Sequence, residues 1–236
     1  MLLDATAARA ARWLGISGFA SALFCAAPAA AQTPEQDLVN AAETTFVNFI
    51  RDPDMTWLQQ HIGKARGVLI TPEVLKAGFI FGGSGGRGVL FIRNEQTGRW
   101  EGPAFYNVAT ASVGFQAGVA VTENVTLVMS ERGVNSLLAD SVKIGGDASI
   151  AAGPVGAGAK ADITTDFVAF SRAKGLYGGL NLDGTVISVA NGWNEAYYGR
   201  GVLPPDIMLR GNVHNMHADR LAAALERATS QRTSLR

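Results

Sequence analysis

The glycine-rich stretch at residues 82–88 contains two spacings that are associated with chemistry in other proteins. Gly83, Gly85 and Gly88 satisfy G-x-G-x-x-G, which binds dinucleotides when the glycines open a helix whose N-terminus holds the pyrophosphate. Ser84 satisfies G-x-S-x-G, which places a hydrolase nucleophile at a sharp turn between a strand and a helix. The apolar run at residues 89–92 predicts a strand where both sites need a helix. Neither dinucleotide binding nor serine hydrolysis is therefore expected.

His214 and His217 lie three residues apart and could share one helix face as metal ligands. A catalytic metal site normally has three protein ligands, and Asp219 is the candidate for the third. Exposed histidines at a helix end explain the pair more simply. Asp162 and Asp166 have no evident acid–base partner either. The sequence thus predicts a protein without catalysis, metal or cofactor.

Charge and cysteine content exclude further classes. The 236 residues include 20 basic and 20 acidic side chains and no basic run, which argues against nucleic-acid binding. Cys25 is the only cysteine, so disulfide frameworks, zinc–thiolate sites and iron–sulfur clusters are not expected. The stretch 64–101 nevertheless has six basic residues against three acidic ones. These charges form either a local basic patch or a set of solvated side chains on strand edges.

Residues 1–31 have the pattern of a secretory signal peptide. Two arginines precede an apolar stretch at residues 14–24, and three alanines at residues 29–31 resemble a cleavage site. We expect cleavage near Ala31 and a periplasmic or secreted protein. A lipoprotein attached through Cys25 is the alternative, although the bulky Phe24 before that cysteine disfavours it.

The remaining residues, 32–236, are expected to form a single domain. Helices are predicted at residues 32–63, because Thr33, Pro34 and Gln36 form a capping box and a second helix follows Asp52. A C-terminal amphipathic helix is predicted at residues 212–229. Between them, a β-rich core spans residues 64–198. Its predicted strands are short runs at residues 68–70, 77–81, 88–93, 99–100, 111–121, 125–129, 142–151, 157–163, 167–171, 176–182 and 185–189.

Most of these runs are bounded by glycine, proline or turn signals, and Asp183 with Gly184 is typical of a two-residue hairpin turn. Short helices are predicted at residues 131–139 and 192–198. The expected fold is α+β, with a mainly antiparallel sheet that curls into a barrel or sandwich and is flanked by short helices.

Several short motifs, taken in order, resemble the SYLF domain family. They cover roughly residues 64–198, and their joint order is more specific than any one of them. Phe170 and Glu101–Gly102 depart from the family pattern, but these departures do not change the expected fold. The matching motifs are KARG at 64–67, KAGF at 76–79, GGRG at 85–88, Trp100 with Pro103, GFQAG at 114–118, GGD at 145–147, AGPVG at 152–156 and KGLYGG at 174–179.

This resemblance implies membrane lipid binding, with actin binding in addition in fungal members. An exported protein would meet neither actin nor phosphoinositides, so what carries over is peripheral docking on anionic phospholipid membranes through an apolar and basic patch. Candidates for insertion into the membrane are Trp57, Leu58 and Ile62. Candidates for phosphate contact are Lys64, Arg66 and Lys76. The alternative for the three apolar residues is that they cover the end of the sheet.

Two other functions stay open. The protein could be a structural or protein-interaction module of the cell envelope, which binds a partner through strand edges or its terminal helix. It could also carry an apolar small molecule inside the sheet.

Overall fold

The computed structural model describes residues 32–78, 81–113, 118–156, 164–173, 176–177 and 184–230. Within these residues, nine strands form one sheet in the order β5-β9-β3-β2-β1-β4-β7-β6, with β8 paired to β7. Every pairing is antiparallel except that of β6 with β7. The strands are β1 (Gly67–Gly78), β2 (Phe81–Arg93), β3 (Trp100–Val113), β4 (Gly118–Val128), β5 (Ser141–Lys143), β6 (Ile150–Ala152), β7 (Phe167–Ala173), β8 (Leu176–Tyr177) and β9 (Thr185–Val189).

Six α-helices accompany the sheet in the described part of the chain: α1 (Pro34–Arg51), α2 (Thr56–His61), α3 (Glu131–Leu138), α4 (Asn191–Tyr198), α5 (Pro204–Met208) and α6 (Asp219–Ser230). The capping box predicted at the start of α1 is confirmed. The Thr33 hydroxyl accepts from the Gln36 backbone N–H at 3.3 Å, and the Gln36 side chain accepts from the Thr33 N–H at 3.1 Å. The expected α+β class, with a mostly antiparallel curled sheet and short helices, is also confirmed.

The two faces of the sheet bury different sets of side chains. One face, called the helical face here, packs against α1, α2 and α6 and buries Phe46, Phe49 and Leu225 with alternate residues of the central strands. The opposite face packs against α3 and α5, which contribute Leu137 and Ile207. Alternation along β2 shows the division, because Val89 and Phe91 belong to the first cluster and Leu90 and Ile92 to the second.

The central strands are longer than the sequence pattern predicts. The short runs predicted at residues 68–70 and 88–93 extend into β1 and β2, which stay paired from Gly67↔Ile92 to Gly78↔Gly82 with one irregularity after Ile70. The glycines of β2 do not end the strand. A Cβ atom on Gly86 would lie 2.3 Å from the Glu73 carbonyl oxygen, so glycine there permits β1 and β2 to approach closely.

Other element predictions need correction. The C-terminal helix is shorter than predicted, because Val213 precedes it and Met216–Ala218 forms a 3₁₀ turn before α6. The strand predicted at residues 142–151 is divided into β5 and β6. Gly145, which lies between these strands, has a φ of 86°. The sequence pattern does not predict helix α5. The strand predicted at residues 157–163 and Asp183 of the hairpin turn lie outside the described residues.

Candidate functional site

The three apolar residues predicted to insert into a membrane are buried in the core. Trp57 is 2% exposed, while Leu58 and Ile62 are 0% exposed. The indole of Trp57 stacks on the His61 ring with centroids 3.8 Å apart and also contacts Phe170 of β7. This geometry corrects the insertion hypothesis, because the apolar side of α2 packs against the sheet and offers no surface to lipid. The alternative, that these residues cover the sheet, describes their position.

The three predicted phosphate-contacting cations do not form one patch. Lys64 ends the 3₁₀ turn Ile62–Lys64, and Arg66 immediately precedes β1. Lys76 lies ten residues beyond Arg66, near the far end of the same strand. At about 3.3 Å per residue, this separation is roughly 30 Å. Partial burial lowers the pKa of Lys76. Lys76 is therefore distant from the site that contains Lys64 and Arg66.

A third cation joins Lys64 and Arg66 because of strand pairing. Gly67 pairs with Ile92, so the start of β1 lies beside the end of β2, where Arg93 is located. The Arg93 backbone N–H donates to the Arg66 carbonyl oxygen at 2.8 Å. These three cations and the β2–β3 turn surround a pocket of about 330 Å³. We call this site the basic corner, defined by Lys64, Arg66 and Arg93.

Arg93 fixes the shape of the basic corner. Its Nη1 donates to the Gly63 carbonyl oxygen at 3.0 Å, and its Nε donates to the Gly98 carbonyl oxygen at 3.4 Å. The guanidinium group thereby connects the 3₁₀ turn to the β2–β3 turn. Gly98 has a φ of 73°, which is a left-handed conformation that favours glycine. The pocket wall is thus held by hydrogen bonds from a residue that also supplies positive charge.

The turn that faces this pocket is rigid in its backbone and carries one carboxylate. The Asn94 side-chain oxygen accepts from the backbone N–H groups of Gln96 and Thr97 at 2.9 and 3.1 Å. Glu95, in the same turn, forms an ion pair with Arg66. Within the described part of the chain, Lys64 has no ion-pair partner. The basic corner therefore has three cations against one carboxylate among its described lining residues.

A second concave site lies on the helical face, beyond the irregularity in β1. It is a groove of about 700 Å³ between α1, α4 and the far halves of β1, β2 and β3. Its floor includes the exposed Leu75 of β1 and Gly85 of β2. At its edge, the Arg87 guanidinium lies 4.5 Å from the centre of the Trp193 ring. Its charged lining residues are Asp37, Glu73 and Arg87, so the groove has no excess of positive charge.

Two polar networks hold helices to the sheet. Arg172 of β7 donates to Glu123 of β4 at 2.7 Å, is paired with Asp52 at 3.6 Å and lies over the Phe49 ring. This network attaches the C-terminal end of α1 to the helical face. The register of β4 with β7 places Glu123 opposite Arg172. The sequence pattern alone does not predict this register.

The second network centres on Asp166, which is 4% exposed. Its carboxylate forms an ion pair with Arg132 of α3 and accepts from the hydroxyl and backbone N–H of Ser149 at 2.7 and 2.8 Å. Ser130, the N-terminal cap of α3, also donates to it. Hydrogen bonding from Arg132 is the main cause that keeps the pKa of Asp166 well below its ordinary value. Every partner stabilises the charged form, so this carboxylate is a structural anchor.

The histidines considered as metal ligands make separate contacts. His214 pairs with Asp219 at 3.0 Å, whereas a ring nitrogen of His217 lies 3.1 Å from the Gln36 carbonyl oxygen. Among the described residues, no group of three or more histidine, cysteine or acidic side chains is placed to hold a metal ion. In the same part of the chain, no helix combines the length and apolar character needed to cross a bilayer.

Comparison with known proteins identifies the family. A family model described as "Ysc84: Las17-binding protein actin regulator" matches residues 109–228, just over half of the chain. The match includes β4, β7 and most of α6 but not Lys64, Arg66 or Arg93, which precede it. The basic corner is therefore assigned from this chain's own geometry.

Individual relatives are similar to this chain over more than half of its length. Protein YSC84 of Saccharomyces cerevisiae is 34% identical over 143 residues, which cover 58% of this chain and 30% of that protein. LAS seventeen-binding protein 3 of the same yeast is 32% identical over 143 residues, with coverages of 58% and 31%. SH3 domain-containing YSC84-like protein 1 of Homo sapiens is 25% identical over 194 residues, with coverages of 80% and 56%. This chain thus spans about a third to just over half of these relatives' lengths. It belongs to the Ysc84 family, the SYLF domain family that its motifs resemble.

Proposed function

We propose that this protein acts by binding and not by catalysis, and that it docks peripherally on anionic phospholipid membranes through the basic corner. One observation carries the proposal: Lys64 and Arg66, just before β1, and Arg93, at the end of β2, converge on one pocket of about 330 Å³. The family descriptions name regulators and binding proteins, which agrees with a binding role.

Electrostatic attraction supplies most of the binding free energy in this proposal. Each basic residue near an anionic surface contributes about 1 kcal/mol, so three cations give reversible attachment. Insertion of Trp57, Leu58 and Ile62 contributes nothing, because these side chains are buried. Attachment without insertion depends on unscreened charge, and it should weaken markedly between low and high salt.

The pocket is suited to phosphate groups for a geometric reason. Arginine presents a planar array of N–H donors that matches the oxygens of phosphate, and Arg66 supplies such a group at the edge of the pocket. Arg93 already donates to Gly63 and Gly98, so the pocket keeps its form before any ligand binds. Preorganised donors lose less conformational entropy on binding than mobile side chains do.

Vesicle co-sedimentation tests the proposal. Purified protein is mixed with vesicles of phosphatidylcholine alone, or with vesicles that contain phosphatidylglycerol in addition, at low and at high salt. The proposal expects binding to the phosphatidylglycerol vesicles and its loss at high salt. Equal binding to both vesicle types, or binding that salt does not change, would argue against an electrostatic site.

We also propose that the protein is exported, with cleavage near Ala31. The basis is the signal-like pattern of residues 1–31. Mass spectrometry of protein recovered from separated periplasmic and cytoplasmic fractions tests this location. A cytoplasmic protein that retains residues 1–31 would contradict it and would make actin-type partners accessible.

Protein binding is the second candidate function. It is favoured by the description of the family, which names a Las17-binding protein and an actin regulator. Those words describe relatives that extend beyond the region shared with this chain. Co-sedimentation with purified actin filaments distinguishes the candidates, because the membrane proposal expects the protein to stay in the supernatant. A small apolar molecule in the groove is the remaining alternative, and native mass spectrometry of the purified protein would detect it as added mass.

A further inference from the structure

The ion pair between Arg66 and Glu95 lies at the pocket of the basic corner. Both residues line this pocket of about 330 Å³. The Arg66 side chain is 39% exposed and the Glu95 side chain 68% exposed, so water surrounds much of the pair. An ion pair in this setting is weak, because solvent screens the attraction and two long side chains lose freedom when they hold one geometry.

Glu95 can leave Arg66 without disturbing the fold. The turn that carries Glu95 is held by the hydrogen bonds that the Asn94 side chain accepts from Gln96 and Thr97, and by the Gly98 N–H, which donates to the Asn94 carbonyl oxygen at 2.8 Å. None of these bonds uses the Glu95 carboxylate. A rotation of this side chain therefore exposes Arg66 while the backbone stays in place.

A carboxylate and a phosphate group compete for the same donors, because arginine binds both through paired N–H donors. Inorganic phosphate has more oxygens and more negative charge than a carboxylate. A phosphodiester headgroup has the same single charge as a carboxylate, and a vesicle presents many such headgroups together. With Glu95 in place, Lys64 and Arg93 still contribute positive charge at the pocket. A phosphate group that replaces Glu95 would thus meet three cations.

We propose that Glu95 is an internal competitor that occupies Arg66 until a phosphate group displaces it. This inference rests on the proposed function. It identifies the bound group as a phosphate and Glu95 as the residue that limits the affinity for it. The phosphate group has two sources, a lipid headgroup or a free phosphate ion. Glu95 reduces binding of either one, so the protein detaches readily when the phosphate density is low.

Glu95→Gln removes the competing charge and keeps the size of the side chain. The variant should bind phosphate groups about two- to fivefold more tightly, the range that an exposed ion pair allows. Glu101→Gln is the matched control, because it removes the same charge on β3 from a residue that does not line the pocket. Arg66→Gln is the second variant. In the Arg66→Gln protein, Glu95→Gln should change the affinity for phosphate groups no more than Glu101→Gln does.

Two measurements separate the phosphate sources. Inorganic phosphate is titrated into the purified protein at constant ionic strength and followed by NMR of the arginine side chains, and phosphatidylglycerol vesicles are titrated in parallel. The inference expects Glu95→Gln to tighten binding in at least one titration, and by more than Glu101→Gln does. Equal effects of the two substitutions would overturn it, because net charge alone would then explain the change.

The failure of this inference differs from the failure of the proposed function. Vesicle binding that Glu95→Gln and Glu101→Gln change equally overturns the competitor role and leaves membrane docking intact. Phosphate binding that Glu95→Gln tightens, without any vesicle binding, supports the competitor role and overturns membrane docking. Absence of binding in both titrations overturns both.

Discussion

Arg66, immediately before β1, and Lys76, near the far end of β1, are about 30 Å apart, because the chain is extended over this ten-residue separation. Arg66 instead lies beside Arg93, with the Arg93 N–H 2.8 Å from the Arg66 carbonyl oxygen. The extended backbone of β1 causes the separation, and the antiparallel pairing of β1 with β2 brings Arg93 beside Arg66. The basic residues of the stretch 64–101 are thereby divided between one compact site and separate positions elsewhere.

Arg93→Lys should weaken membrane binding although it keeps the positive charge. A lysine cannot reproduce the two hydrogen bonds that the guanidinium makes to Gly63 and Gly98, so the pocket wall loses its anchor. We expect a loss of about 1–2 kcal/mol in the free energy of unfolding, measured by urea denaturation. We also expect weaker binding to phosphatidylglycerol vesicles. Arg99→Lys is the control, because Arg99 is exposed and does not line the pocket.

Trp57→Ala should destabilise the fold by about 3–5 kcal/mol, because it removes a large buried side chain from between His61 and Phe170. Trp57→Phe, which keeps an aromatic ring, should bind anionic vesicles as the wild type does. Denaturation measures the first effect and co-sedimentation the second. A folded Trp57→Phe protein with strongly reduced vesicle binding would restore the hypothesis that this residue inserts into the membrane.

Gly86→Ala should cost about 1–3 kcal/mol of stability, since the added Cβ atom would lie 2.3 Å from the Glu73 carbonyl oxygen and force β1 and β2 apart. Gly85→Ala provides a neighbouring comparison. Its Cβ atom would meet nothing nearer than the Val108 carbonyl oxygen at 4.0 Å. This variant should be as stable as the wild type or slightly more so. Equal melting temperatures for the two variants would contradict the close approach at Gly86.

Stability should decrease as the pH falls below about 5, and Asp166 should account for part of the decrease. Hydrogen bonding from Arg132 holds the folded-state pKa of Asp166 below its ordinary value. The unfolded chain therefore takes up a proton at a higher pH than the folded chain does. The stabilisation by Asp166 is complete at neutral pH and is lost as the pH falls through the ordinary carboxyl range toward the lower folded-state pKa.

Asp166→Asn should therefore be destabilised by about 3 kcal/mol at pH 7, with a smaller difference from the wild type at pH 3. Urea denaturation at pH 7, 5 and 3 measures both values. Asp140→Asn serves as the control, because Asp140 is exposed. This variant should have the same free energy of unfolding as the wild type at pH 7. A difference that stays constant with pH would show that Asp166 acts through packing and not through its charge.

The sequence pattern predicts the class of the fold better than the extent of its strands. The capping box of α1, the strand at residues 185–189 and the absence of a helix after residues 82–88 all follow from local signals, which the structure confirms. The glycines of β2 suggest breaks, yet they lie within one strand. Gly86 serves the contact with β1, a requirement that involves a residue distant along the chain and has no local signal.

The sequence predicts only part of the candidate site, again because some of its contacts join residues that are distant along the chain. Lys64 and Arg66 are neighbours in sequence and stay together, whereas Arg93 joins them only when β1 and β2 are paired along their full length. The apolar side of α2 fits membrane insertion and packing on a sheet equally well. Only the position of Phe170, which is more than a hundred residues away, decides between them.

The most direct test of the central claim compares two charge-matched double variants in phosphatidylglycerol vesicle titrations. Lys64→Gln with Arg66→Gln removes two cations of the basic corner, and Lys76→Gln with Lys143→Gln removes two cations located elsewhere. At about 1 kcal/mol for each cation, the first pair should raise the dissociation constant about thirtyfold, and the second should change it little. Equal weakening by both pairs would contradict the account, because binding would then depend on net charge and not on the basic corner.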